Sequence, residues 1–262
     1  MRETGRYTTQ LQAGLGLVSE TKALLALWSP GISASQLQQV ALESGHFPTV
    51  TARRLRNIVT ECFAPRYLTS GGAPAAHLKE LATAVSTADL VQLMLVFTSR
   101  ANTILGDFVR HVYWTRYAGG YTHITNNDAR VFVERSIDDG KTIKRWSETT
   151  IRRVSAYLTG CCADFGLLER GQRTSRRIIP FRISPSVAAY LAYDLHFANV
   201  GDNALLIHED WQLFGLARED VIEELRRLSL KGLLIIQIAG ELVRISWKLQ
   251  DVEALCDVLA QG

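Results

Sequence analysis

Apolar residues recur three and four positions apart along most of this chain, the spacing that turns one face of an α-helix toward a core. The pattern predicts helices over Ser19 to Trp28, stopped by Pro30 and Gly31, and over Ser33 to Glu43, ending at Gly45. A third is expected from Thr51 to Phe63, closed by Pro65, with a linker at Thr69 to Pro74. Pro74 to Ala84 and Ser86 to Tyr117 continue the helical pattern. The second of these is apolar on most sides and reads as the central core element, with a break expected near Gly106. Thr125-Asn126-Asn127-Asp128 has the form of a capping box opening a helix to Asp139. A helix from Glu148 to about Ala163 follows. Then come two extended stretches, Gly166 to Arg170 and Arg177 to Ile183, around a polar loop containing Gly171. The tail repeats this order: helices over Ser186 to Phe197 and Arg218 to Lys231, extended stretches over Leu233 to Ala239 and Glu241 to Trp247, and a last helix to Ala260.

The fold class expected is therefore mainly α: a helical bundle with helix-turn-helix or winged-helix-type units and two small β-hairpins. Four segments are expected: 1–72, an N-terminal helical domain with a helix-turn-helix-like unit; 73–120, the core helices; 121–185, a winged-helix DNA-binding unit; and 186–262, a second winged-helix-like unit. A chain of 262 residues that is 47% hydrophobic can bury a real core. The four cysteines include an adjacent pair and no CxxC, which suggests neither a zinc site nor a disulfide framework and fits a reducing cytoplasm. The densest apolar run, Leu90 to Phe97, is far shorter than the ~20 residues that cross a bilayer. No charged n-region precedes an apolar h-region in the first 25 residues, so neither a membrane partner nor a signal peptide is expected.

Charge changes the picture more by its distribution than by its net value of +3. Between Lys141 and Ser184 stand ten basic residues against three acidic ones, a local charge of +7, which leaves −4 for the remainder. A basic segment in an otherwise acidic protein is the footprint of a nucleic-acid contact, although a solvated basic face has the same composition. Spacing sharpens it. In the helix after Ser147, Ile151, Val154, Leu158, Cys161 and Cys162 share one stripe, while Thr149, Arg152, Arg153 and Ala156 share the opposite side. An apolar back with two arginines, a hydroxyl and a small residue in front suits entry into a major groove. Lys144 and Arg145 lie just before this helix, and Arg170, Arg173, Arg176 and Arg177 fall where a wing would meet phosphates. A second candidate surface is Arg53, Arg56 and Asn57, opposite the stripe Leu55, Ile58, Val59 and Cys62. The C-terminal counterpart carries Glu219, Asp220, Glu223 and Glu224 on its helix, which would repel phosphate, and reads as a partner-binding or packing unit.

The chemistry of catalysis is missing from the sequence. Gly14-Leu15-Gly16 follows no strand, no GxxxxGK[ST], HExxH or GxSxG occurs, and the six histidines lack ligand spacing. His208-Glu209-Asp210 reads as a helix cap. No catalytic residue, metal site or cofactor is expected.

Several stretches taken together resemble the BrxA family of the BREX bacteriophage-defence systems. They are Tyr7 to Leu17, Val50 to Ile58 with Cys62 to Tyr67, Phe108 to Trp114, and Trp146 to Arg153 through Asp164 to Leu168. The resemblance implies a helical, non-enzymatic accessory protein that binds double-stranded DNA beside a methyltransferase, an ATPase and other BREX components. It does not supply a residue-level DNA site. Low sequence specificity is expected from few base-reading side chains against several phosphate-reaching ones. The alternative is a scaffold within the BREX complex whose basic face is incidental.

Overall fold

The computed structural model describes residues 7–171 and 174–261. Among these described residues helices predominate, with two small antiparallel sheets of two strands each. The chain divides into two compact units, Met1–Ala76 with Met94–Pro180, and His77–Leu93 with Phe181–Gly262. Among the described residues no helix is long and apolar enough to cross a membrane.

The first unit begins with a short 3-10 turn at Gln10–Ala13, then α1 (Val18–Leu27) and α2 (Ala34–Glu43). Ser33 starts α2 with a full capping box, its side chain accepting from the Gln36 N–H. α3 (Ala52–Asn57) runs into a π-helical stretch, Ile58–Phe63, and on into α4 (Ala64–Tyr67). Pro65 therefore does not close this helix as the sequence suggests. It sits in the first turn of α4, after a wider turn that accommodates its ring and missing N–H. α5 (Ala73–Ala84) and α6 (Thr87–Ala101) follow, with His77–Leu93 belonging to the second unit. The chain continues into α7 (Thr103–Phe108), a second π-helical stretch at Val109–Tyr113, and α8 (Trp114–Ala118). The break in the long core helix falls at Asn102 and not at Gly106. Asn102 leaves the helical region at φ −134°, and its amide donates to the Thr98 carbonyl at 3.1 Å.

Next come β1 (His123–Thr125), α9 (Asn126–Asp138), α10 (Glu148–Asp164) and β2 (Ser175–Arg177). The Thr125 capping box is present, with Asp128 accepting from the Thr125 N–H. The expected hairpin after α10 is smaller than the sequence suggests. Leu168 and Ile178 form a single bridge, and β2 pairs with β1, His123 opposite Arg177. β1 is too short, at three residues, for its period to be read between Gly120 and the cap at Thr125.

Trp28 and Gly72 show how tightly this unit is packed. Gly72 adopts φ +90°, and a Cβ there would come within 2.7 Å of the buried Trp28 ring. Gly72→Ala therefore combines a left-handed backbone with an overlap against a fully buried indole. It should destabilise by about 2–4 kcal/mol, read from chemical denaturation. A loss below about 1 kcal/mol would show that Trp28 can move aside.

The second unit is organised by α11 (Pro185–Phe197), which is buried on nearly every side and packs against α12 (Asp202–Leu205), α14 (Arg218–Leu230) and α15 (Val252–Gln261). The short α13 (Glu209–Gln212) is capped by His208, whose ring accepts from the Asp210 N–H. β3 (Leu234–Ala239) and β4 (Leu242–Trp247) form the hairpin, Ile236 opposite Ile245. The Tyr193 hydroxyl of α11 ties the base of that hairpin, donating to the Leu233 carbonyl and accepting from the N–H groups of Lys248 and Leu249.

Candidate nucleic-acid interface

α10 is built as its sequence dictates. Ser147 caps it, the hydroxyl accepting from the Thr150 N–H at 3.3 Å. Ile151, Val154, Leu158, Cys161 and Cys162 are all buried, and α10 packs on α9. Toward the C-terminus the helix is enclosed, and Thr159 donates to the Asn126 side chain at the start of α9 at 2.7 Å. The N-terminal half presents Thr149, Arg152, Arg153 and Ala156 outward, all exposed. Neither Arg152 nor Arg153 has an acidic or carbonyl partner among the described residues. Glu148, the acid nearest to them on the helix, is held by Arg130 at 2.8 Å.

The surrounding cations divide into free and engaged. Lys144 is exposed and unpaired among the described residues, while the neighbouring Arg145 pairs with Asp138 at 3.0 Å. Both line a cleft of about 580 Å³ with Trp146, Ser147, Thr150 and the segment Tyr7–Thr9, next to the first turn of α10. Arg170 is exposed and donates to the Asp164 carbonyl. Arg177 is exposed and pairs with Glu169 at 3.4 Å. Arg176 is half-buried and donates to the Glu169 carbonyl at 3.2 Å, with its Nε buried and without a hydrogen-bond partner. Its guanidinium is thus already engaged with the Glu169 carbonyl. Arg173 lies outside the described residues.

The second basic surface also forms. Thr51 caps α3, and Arg53, Arg56 and Asn57 are exposed while Leu55, Ile58, Val59 and Cys62 are buried.

Between these two helices runs the N-terminal segment, which contacts both the π-helical stretch after α3 and α10. It fastens the connection that leads into α10 and the far end of that helix. At the entry, the Tyr7 N–H donates to the Lys141 carbonyl at 2.7 Å, and the Tyr7 hydroxyl donates to Asp107 at 2.5 Å. Asp107 also accepts from Arg110 and Lys141. Burial works against the Asp107 charge, but these three donors outweigh it and hold the carboxyl below its ordinary range. At the exit, the Gly16 N–H donates to the Asp164 carboxylate at 2.9 Å. A Cβ on Gly16 would come within 2.6 Å of the Asp164 Cβ, so only glycine fits this approach. Arg66 of α4 then clasps the segment from behind, its guanidinium donating to the carbonyls of Gly14, Leu15 and Gly16 at 3.1–3.4 Å.

Asp164 carries a testable pH signature. Burial raises its pKa, more than the Gly16 N–H and the nearby Arg170 and Arg176 lower it. A carboxyl whose folded pKa exceeds its unfolded value of about 4 costs stability while ionised. That stability returns as pH falls through the folded pKa. Asp164→Asn keeps the acceptor for Gly16 without the charge. It should melt at or above wild type at pH 7, with the margin closing toward about pH 4. A variant melting well below wild type at pH 7 would show that the charge itself is required.

The thiols are shielded from solvent. All four cysteines are free and buried. Burial pushes Cys161 and Cys256 up to about 12, Cys62 above its ordinary value and Cys162 well above it. Among the described residues no group of three or more His, Cys, Asp or Glu could hold a metal ion.

A model of the BrxA family matches residues 5–194. The chain belongs to the BrxA family. BrxA membership points to a BREX-associated protein. The match takes in α1 to most of α11 and leaves the β3–β4 hairpin and the last helices of this BrxA chain beyond it. The fold is similar to the crystal structure of an uncharacterized protein from Magnetospirillum magneticum, at TM-score 0.58 and 17% identity over 79% of this chain and 99% of that one. No curated protein matches the chain. What the sequence reading passed over in this BrxA protein is the clasp of Tyr7, Arg66, Asp107, Lys141 and Asp164. Its contacts span 34 to 148 positions, so no local period announces them.

Proposed function

We propose that this protein binds double-stranded DNA with little sequence preference, as a non-enzymatic, cytoplasmic accessory protein of a BREX phage-defence system. The observation that carries the reading is the outward half of α10: Thr149, Arg152, Arg153 and Ala156 exposed on a helix whose back is fully buried, with both arginines unpaired among the described residues. The order helix, β1, α9, α10, bridge, β2 supports a winged-helix reading, with α10 in the recognition position and Arg170 and Arg177 beside the strands. Lys144 and Arg145 flank the entry to α10, where duplex phosphates would pass. Few side chains can reach base edges and more can reach phosphates, so affinity is mostly independent of sequence.

Fluorescence anisotropy with labelled duplexes of unrelated sequence, titrated with salt, tests the reading. Binding should be similar for each duplex and fall steeply as salt rises, as counterion release requires. Absence of binding even at low salt would remove the proposal and leave a scaffold whose basic face is incidental.

A further inference from the structure

We propose that the β3 edge of the hairpin is a self-association site, pairing antiparallel with β3 of a second copy of this chain. The register of the hairpin shows which groups are available. The N–H groups of Val243 and Ile245 turn away from β3 and donate to Asn203 and Asp202, at 3.4 and 2.9 Å. Their partners in the ladder, Ile238 and Ile236, are therefore also non-hydrogen-bonded positions, whose N–H and C=O groups point outward from β3. One edge of the hairpin is thus capped by side chains from α12. The other has no hydrogen-bond partner at Ile236 or Ile238 among the described residues.

Natural sheet edges are guarded by charge, proline, a bulge or a cover. Leu234-Ile-Ile-Gln-Ile-Ala239 has neither charge nor proline, and its ladder to β4 runs without a bulge. It is flanked by exposed apolar side chains, Leu242 at 70% and Ile235 at 42% exposure. The occupant follows from charge and register. Residues 195–262 carry eleven acids against six bases, which disfavours a nucleic acid there. The strand itself is uncharged and tolerates its own copy. Pairing about a twofold axis at Gln237 places Ile236 opposite the partner's Ile238 and the reverse. That arrangement joins all the outward N–H and C=O groups of both residues in four hydrogen bonds. It also brings Glu241, exposed at the tip of one hairpin, toward the exposed Lys231 at the base of the other. The two hairpins become one four-stranded sheet.

Gln237 is exposed on the outer face, beside Arg244 of β4, and stands opposite its own copy at the axis. Gln237→Lys would align four cations across the sheet, Arg244 and the introduced ammonium of each copy, without touching the core. Sedimentation equilibrium of the full chain should show a monomer–dimer equilibrium, and Gln237→Lys should weaken it by about tenfold or more. Mixing Gln237→Lys with Gln237→Glu should restore a mixed dimer, because the opposed side chains then attract. A wild-type mass that stays monomeric at every concentration overturns the proposal. So does a dimer indifferent to Gln237→Lys, or a mixture that fails to recover. The outcome is independent of DNA binding, since the hairpin carries none of the residues assigned to the duplex.

Discussion

Replacing Arg152 and Arg153 together by Ala should weaken duplex binding by about ten- to a hundredfold. Both guanidiniums stand unpaired among the described residues on the outward half of α10, so nothing there competes with DNA for them. The fold should hold to within about half a kcal/mol, since exposed Arg-to-Ala changes rarely do more. Any residual sequence preference should disappear with them, because Thr149 alone remains to meet base edges. The matched control is Arg53→Ala with Arg56→Ala and Asn57→Ala on α3. If those changes abolish binding while the α10 pair leaves it intact, the duplex lies on the other basic helix. Changing Arg177 and Arg170 should cost less than the α10 pair, since Glu169 and the Asp164 carbonyl already engage them.

Arg66→Met is expected to have the largest effect on stability. Arg66 is 3% exposed and gives its guanidinium to three consecutive main-chain carbonyls. Methionine fills much of the volume but leaves those carbonyls without donors and frees the N-terminal segment from α4. Hydrogen bonds from a charged group contribute about 1.5–3 kcal/mol each. Part of that gain is offset by releasing a buried charge whose Nε has no partner. A net loss of about 2–4 kcal/mol follows, or roughly 5–12 °C in Tm for a chain of this size. The variant should also bind DNA more weakly than its residual folded fraction explains, because Gly16 would no longer be presented to Asp164. A variant of unchanged Tm would mean that the segment is held without Arg66.

The sequence made legible whatever repeats locally. The capping box at Thr125 and the buried stripe of α10 stand where residue type and spacing put them. What escaped is non-local or uses the helix period imperfectly. Two π-helical stretches shift the faces that a uniform turn of ~100° per residue assigns, so Pro65 looked like an end and proved to be a passage. β1 is too short for a period and pairs with a strand that lies beyond the whole of α9 and α10. Arg176 has the same local look as Arg177, yet the alternation of β2 turns one of them inward. Candidate cations could be enumerated from the sequence, but which of them are already engaged depends on partners that only the fold supplies.

The clasp on the connection into α10 and on that helix's far end sets an order of events during synthesis. Tyr7 meets Asp107 across 100 positions, and Gly16 meets Asp164 across 148. At ribosomal speeds of about 5–20 residues per second, Gly16 waits roughly 7–30 s for its partner to be made, and longer while that partner clears the exit tunnel. During that interval Leu11, whose side chain ends fully buried, has only α1 to α9 to shelter it. The unit cannot close until α10 arrives, so the element that would touch DNA is also the last to complete the core around the N-terminus. Nascent chains stalled short of α10 should therefore be clipped near residues 7–16 by a dilute protease, and chains stalled well past Asp164 should resist it.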